Sequence, residues 1–178
     1  MNKSDFQKRI GLLGGSFNPA HKGHLYISTQ AMEKLKLDEV WWLVNPCNPF
    51  KKESDMMPIF ERVRIARQIA DNQNIKVSAI EEDLGTRFTY DTVAQLKGIY
   101  PLAQFVWLMG DDLLPEFPAW KKWKELLDMV DVAVFTRQYQ EKDLQKMEAV
   151  KYLQSIGKWN YFKITPNPLS STGIRNSC

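Results

Sequence analysis

An α/β fold with a doubly wound, mostly parallel sheet is what this sequence predicts, on three observations. Strand-like and helix-like segments alternate along the whole chain, the order that places crossover helices on both faces of a parallel sheet. The 178 residues are enough for one domain with a substantial core. Residues of distinctive chemistry recur just after strand-like runs. In open parallel sheets, ligands sit beyond the strand C-terminal ends, where the strand order reverses.

Residues 9–13 form a short apolar run and read as a buried first strand. Residues 23–36 repeat Leu25, Ser28, Met32 and Leu35 at helical spacing, a face interrupted only by the small serine. Residues 39–44, Glu-Val-Trp-Trp-Leu-Val, are β-branched and aromatic, which predicts a second strand. Residues 45–58 hold three prolines and two asparagines and should be a loop. Helix returns over residues 61–70, with Val63, Ala66 and Ala70 on one side and Arg62, Arg64 and Arg67 elsewhere. Residues 75–80 read as strand and 89–97 as a short helix with Thr89 as its N-cap. A further buried strand, 105–109, ends at Gly110-Asp111-Asp112. Helix over 120–127, strand over 130–135, helix over 141–154 and a last strand over 161–164 complete the pattern, before Pro166 and Pro168. No repeat, low-complexity block or linker interrupts it, so a single domain over residues 1–178 is expected.

Hydrophobic residues make up 44% and charged residues 25%, ordinary globular values that argue against disorder as the main state. The formal charge of +3 is mild, and no long Lys/Arg tract marks a nucleic-acid footprint. An anionic small molecule suits that balance. Cys47 and Cys178 form neither a CxxC pair nor a disulfide framework. Residues 1–9 are polar and lack the apolar core of a signal peptide. No apolar run reaches the ~20 residues needed to span a bilayer. A cytoplasmic setting is expected, with neither membrane nor nucleic acid as partner.

Both histidines fall in one run, Gly14-Gly15-Ser16-Phe17-Asn18-Pro19-Ala20-His21-Lys22-Gly23-His24, which follows the first strand and leads into a helix. Glycines permit a tight turn and close backbone approach, and a helix N-terminus attracts negative charge. Two imidazoles and a lysine there point to phosphate handling. Their spacing, without Cys or acids nearby, is weak support for a metal site. The run is neither a Rossmann G-x-G-x-x-G nor a Walker A sequence, since no G-K-[ST] occurs. Leu169-Ser170-Ser171-Thr172-Gly173-Ile174-Arg175 offers hydroxyls, N–H groups and an arginine, which also suit phosphates. Trp120 has a π-face fit for a flat heterocycle. Asp112, just past a strand, suits either ribose hydroxyls or a helix N-cap, whereas Asp111 reads as structural. Lys51, in its loop, suits either a phosphate contact or a solvated surface position, and the residues alone favour the second. Lys121, Lys122 and Lys124 read as a solvated helix face, and Trp41, Trp42, Trp107 and Tyr139 as packing.

The histidine run closely resembles the G-G-[ST]-F-[DN]-P-x-H-x-G-H motif of the nucleotidyltransferase superfamily. Together with residues 169–175, which resemble an [IL]-S-S-T-x-[IL]-R motif, it points to the nicotinate-nucleotide adenylyltransferases. Thr86-Arg87-Phe88-Thr89-Tyr90-Asp91-Thr92 is similar to that family's S-Y-T-x-D-T segment. Trp107 to Asp112 resembles its strand ending in G-x-D, and Phe117-Pro118-Ala119-Trp120 its F-x-x-W segment.

The resemblance implies a Rossmann-like fold and transfer of an adenylyl group from ATP to nicotinate mononucleotide, with Mg²⁺ carried by the ATP phosphates. It implies catalytic roles for His21, His24 and Arg175. ATP would meet Gly14, Gly15, Ser16, Phe17, Lys51, Arg137, Ser171 and Thr172. The mononucleotide would meet Thr86, Arg87, Phe88, Asp112 and Trp120. Two departures stand out. Phe50 replaces the histidine of a His-Lys pair common near Lys51, and this chain stops at Cys178 where relatives usually continue. Nicotinamide mononucleotide and phosphopantetheine are alternative acceptors, and a nucleotide-binding protein without turnover is the alternative outside enzymes.

Overall fold

Six strands pair side by side, all parallel, in the order β3-β2-β1-β4-β5-β6. They are β1 (Arg9–Gly15), β2 (Glu39–Val44), β3 (Ile75–Ser78), β4 (Gln104–Gly110), β5 (Asp131–Phe135) and β6 (Tyr161–Phe162). This computed structural model describes residues 8–46, 56–71 and 74–165. The strand order reverses between β1 and β4, so the C-terminal end of β1 lies at the switch point. Leu13 pairs with Leu108 across that junction, and on the other side of β1 Gly14 pairs with Leu43 of β2.

β4 is buried on both faces. Phe105, Trp107 and Met109 join one core with Leu12, Val93 and Leu126, while Val106 and Leu108 join the other with Trp42 and Phe135. The two-residue period of a strand sends alternate side chains to opposite faces, and helices cover both. The covering elements are α1 (Lys22–Leu35), α2 (Ile59–Ile69), α3 (Ile80–Asp83), α4 (Thr89–Ile99), α5 (Trp123–Met129), α6 (Glu141–Leu144) and α7 (Glu148–Ser155). Ser28, the small residue on the apolar face of α1, is fully buried and takes a hydrogen bond from the Trp42 indole N–H at 2.7 Å. Its own hydroxyl donates to the His24 carbonyl at 2.8 Å. A larger residue there would leave the buried indole donor without its acceptor.

Four local expectations are corrected. The strand predicted to run to residue 80 ends at Ser78, and Ile80 opens α3. Thr89 is the first helical residue of α4 and not its cap, a position held by Phe88 without any side-chain cap bond. The helix predicted from residue 120 starts at Trp123, because Phe117–Ala119 form a 3₁₀ turn, Trp120 is extended and Lys122 takes a left-handed φ of 49°. The helix predicted over 141–154 splits into α6 and α7. Leu144 and Ala149 are both fully buried. Five residues apart, they fall about 140° from each other on an unbroken helix, so a break is needed to bring both inside. Among the described residues, no helix is long and apolar enough to cross a membrane.

Candidate active site

The site starts where β1 ends. A Cβ on Gly14 would lie 2.5 Å from the Trp107 ring, so only glycine lets the strand end rest on that indole. Phe17 follows with a left-handed φ of 46°. Its buried ring stacks on Trp42 at 5.2 Å and tilts against His24 at 4.6 Å. It backs the His24 ring. His21, in extended conformation, is the N-cap of α1.

There the two histidines cap the helix reciprocally. His21 Nδ1 accepts from the Gly23 N–H, and His24 Nδ1 accepts from the His21 N–H, each at 3.1 Å. This is a capping box with imidazoles in the places usually held by Ser or Thr and Glu. An Nδ1 that accepts cannot carry the proton, so each neutral ring has its hydrogen on Nε2. Burial lowers the His21 pKa to about 4, helped by the Arg137 cation. Burial lowers His24 further, to about 3, with His21 and Arg137 adding to the effect. The rings lie 3.9 Å apart. Nε2 of His21 is buried and has no partner among the described residues. Uncharged, fixed and unsatisfied, it is a donor awaiting an acceptor. The spacing of N-cap to N3 is present in the sequence, but histidine is an unusual residue at both positions, so the spacing alone does not signal a capping box.

Arg137 completes this side. With His21, His24, Tyr26, Thr136 and Ile164 it lines a small cavity of about 30 Å³. Its guanidinium donates to Asp112 at 3.1 Å. Burial raises the Asp112 carboxyl, and Arg137 opposes that rise. Asp111 is fully buried and accepts from the N–H groups of Gln138 at 2.7 Å and Tyr139 at 3.3 Å. It thereby fixes the loop that carries Arg137, a structural role as expected. Asp112 is not an N-cap, for it lies within a 3₁₀ turn whose cap is Gly110.

A larger cleft of about 330 Å³ opens beside β1. Gly14, Gly15 and Trp107 line it together with Phe88, Trp120 and Lys121. Trp120 stands edge-on to Trp107 at 5.9 Å and to Phe117 at 5.2 Å. Arg87, Asn45, Glu81 and Glu116 bring polar groups to the same walls. Trp107, read from sequence as packing, is therefore also a wall, and its indole nitrogen has no partner among the described residues. Lys121 is more than a solvated face, since it pairs with Asp91 at 2.8 Å and lies 5.3 Å over the Phe88 ring.

The other predicted residues fall as follows. Thr86 is buried, with its N–H on the Glu81 carbonyl at 2.9 Å and its hydroxyl 2.8 Å from that of Thr92. Asp112 sits with Arg137 rather than among the residues of the larger cleft. Gly14 and Gly15 border that cleft, and Ser16 offers its carbonyl to Arg62 at 2.7 Å. Lys51, Ser171, Thr172 and Arg175 lie outside the described residues.

Sequence reasoning missed two buried groups. Arg62, expected away from the apolar side of its helix, is 1% exposed. It donates to the carbonyls of Ser16, Asn45, Pro46 and Met57 at 2.7–3.0 Å, tying the histidine turn to the loop after β2. Glu81 is 6% exposed, and burial pushes its pKa up to about 7 against a hydrogen bond from Thr92. Nothing in the run Glu81-Glu82-Asp83 singles it out.

A six-stranded, doubly wound parallel sheet with a reciprocal histidine cap at its switch point is the setting in which a nucleotide-binding enzyme of the Rossmann-like class places its site. Residues 12–177 match the family model described as cytidylyltransferase-like. The chain is 42% identical to the "probable nicotinate-nucleotide adenylyltransferase" of Erythrobacter litoralis, over 95% of this chain and 84% of that protein. It is 39% identical to the protein of the same description from Gluconobacter oxydans, over 95% of this chain and 94% of that one. The chain belongs to the cytidylyltransferase-like family and, within it, to the nicotinate-nucleotide adenylyltransferases. The Plasmodium falciparum nicotinic acid mononucleotide adenylyltransferase complexed with NaAD shares the fold, at a TM-score of 0.73 and 20% identity over 96% of this chain and 83% of that one. The same enzyme complexed with APC superposes with a TM-score of 0.71 at 19% identity, over the same shares of each chain.

Proposed function

We propose that this chain transfers the adenylyl group of ATP to nicotinate mononucleotide, forming nicotinate adenine dinucleotide and pyrophosphate. The observation that carries this reading is the reciprocal histidine cap: two uncharged rings whose Nδ1 atoms are engaged, with the buried Nε2 of His21 unpartnered among the described residues, beside an aromatic-walled cleft. A phosphate oxygen of the mononucleotide attacks the α-phosphorus of ATP in line. The new P–O bond forms as the bond to the bridging oxygen breaks, and its electrons leave with pyrophosphate. The attacking phosphate is already an anion, so no side chain has to remove a proton. Histidines whose Nδ1 atoms are engaged and whose pKa values lie far below neutrality suit that chemistry. They hold and stabilise charge without moving a proton, and catalysis is positioning plus electrostatic stabilisation.

In this reading His21, His24 and Arg137 meet the ATP phosphates. Lys51, Ser171, Thr172 and Arg175 close the grip from segments outside the described residues. Gly14, Gly15 and Ser16 supply close backbone, and Phe17 supports His24. Arg87, Phe88 and Trp120 receive the pyridine ring, Thr86 anchors their segment, and Asp112 serves ribose hydroxyls through its place beside Arg137. Mg²⁺ enters as part of the ATP substrate, on phosphate oxygens and water. Among the described residues no three His, Cys, Asp or Glu gather where they could hold a metal ion, and no step here runs through one. The reaction is carried by one domain in the cytoplasm.

Pyrophosphate release with ATP and Mg²⁺ tests the proposal when nicotinate mononucleotide, nicotinamide mononucleotide and phosphopantetheine are compared. The expected result is highest kcat/KM for nicotinate mononucleotide. Preference for phosphopantetheine overturns it, as does ATP binding without pyrophosphate release from any acceptor.

A further inference from the structure

Glu81 is a buried acid on the wall of the larger cleft, and its surroundings are built for the neutral form. Among the described residues it makes no ion pair, and its Oε2 atom has no partner. Oε1 lies 3.2 Å from the Thr92 hydroxyl, which is also 3.2 Å from the Phe88 carbonyl and 2.8 Å from the Thr86 hydroxyl. A hydroxyl has one hydrogen to give. If Glu81 is protonated, it donates to Thr92, Thr92 donates to Phe88, Thr86 donates to Thr92, and every contact is satisfied. Once Glu81 ionises, Thr92 must turn its hydrogen to the carboxylate and give up its side-chain bond to the Phe88 carbonyl, which the N–H groups of Asp91 and Thr92 still hold at 3.0 and 3.1 Å. The segment held by this network, residues 86–88, is the one that brings Arg87 and Phe88 to the cleft.

The neighbouring charges do not change that balance. Arg87, Glu116 and Lys121 line the same cleft. Lys121 is engaged with Asp91 at the start of α4. β2, packed against α3, carries one charged residue, Glu39, at its far end and paired with Lys8 and Lys76. On α3 itself Glu82 and Asp83 are further acids. Among the described residues no cation is bonded to Glu81, while burial favours its uncharged form.

Resting on the proposed function, we infer that Glu81 determines acceptor specificity: as a neutral acid it completes the hydroxyl network beside the 86–88 segment and tolerates an anionic ring substituent, and as a carboxylate it opposes one. Nicotinate mononucleotide carries a carboxylate where nicotinamide mononucleotide carries an amide, so the two differ in how the ring substituent meets the charge on Glu81, and their shared pyridinium and phosphate cancel in a comparison. Binding the first also favours protonation of Glu81 and draws in a proton near neutral pH.

The experiment is the ratio of kcat/KM for the two acceptors as a function of pH. Both carry the same phosphate, so its titration cancels in the ratio. The wild-type ratio should fall about tenfold between pH 6 and pH 8.5, one unit of coupling being a factor of ten. In Glu81→Gln, an uncharged isostere, the ratio should stay at its acidic-side value throughout. A flat wild-type ratio, or an equal slope in Glu81→Gln, overturns the inference. Calorimetry of the wild type in buffers of different ionisation enthalpy needs no variant to fold. Proton uptake near pH 7 with the nicotinate acceptor alone supports the inference, and equal uptake with both acceptors overturns it. Failure of the proposed function reads differently: pyrophosphate is released from neither acceptor, while the calorimetric comparison still reports on Glu81.

Discussion

Burial neutralises ionisable side chains on both sides of the site, and the two sides do it by different means. At the histidine turn, backbone N–H groups occupy both Nδ1 atoms, so the uncharged tautomer is built into the helix cap. At the cleft wall, Glu81 is kept neutral by desolvation and a chain of hydroxyls that can rotate. The first arrangement is fixed across the neutral range. The second sits at about 7 and switches within it. In the proposed reading, the fixed device serves the stabilisation of charge in every turnover and the adjustable one the choice between acceptors.

The largest test removes the fixed device. His24→Ala should lower kcat on the order of 10²-fold or more if the ring stabilises the transferring charge, with little change in KM for the acceptor. Steady-state pyrophosphate release measures both. Near-wild-type turnover would remove His24 from the chemistry. On the other side, Trp120→Ala should raise KM for nicotinate mononucleotide on the order of tenfold, as expected for a lost stacking contact, and leave KM for ATP close to wild type. A rise in KM for ATP instead would erase the division between the two regions.

The smallest effect contrasts the two devices through stability. The histidines have folded pKa values of about 4 and about 3 against an ordinary 6.5. Their contribution is complete above pH 6.5 and is lost as pH falls through that window, because the unfolded chain binds more protons there. Glu81 has the opposite sign, since its folded value of about 7 lies above the ordinary 4.5. Its contribution is complete below 4.5 and is lost as pH rises toward 7. Two histidines outweigh one glutamate, so urea unfolding should show a net loss on the order of 1–3 kcal/mol between pH 7 and pH 4.5. Glu81→Gln should steepen that loss. A shallower slope in the variant would contradict the assigned sign.

Much of the fold was legible because it is periodic. β2 matched residue for residue, and the alternation of apolar runs with helical spacing anticipated a parallel sheet with its site at the strand ends. The histidine turn was legible as a tight turn into a helix at the end of β1 because its glycines, proline and imidazoles are contiguous. The rest depends on groups distant in sequence. Arg62 is buried because carbonyls from Ser16, Asn45, Pro46 and Met57 converge on it, and helical spacing alone places it with Arg64 and Arg67 on the polar side. Glu81 acquires its character from Thr92, eleven residues away on another helix. The misplaced start of α5 has a similar cause, since Trp120 is held extended where it meets Trp107 and Phe117.

The central claim is that His21 and His24 act as uncharged Nε2–H donors fixed by their own helix cap. Nitrogen-15 NMR of the imidazole side chains, followed from pH 8 to pH 4.5, reads tautomer and protonation together. The expected spectrum shows Nε2 protonated and Nδ1 unprotonated in both rings, with neither ring half-titrated by pH 5. Titration of either ring near 6.5, or a proton on Nδ1, would contradict the account.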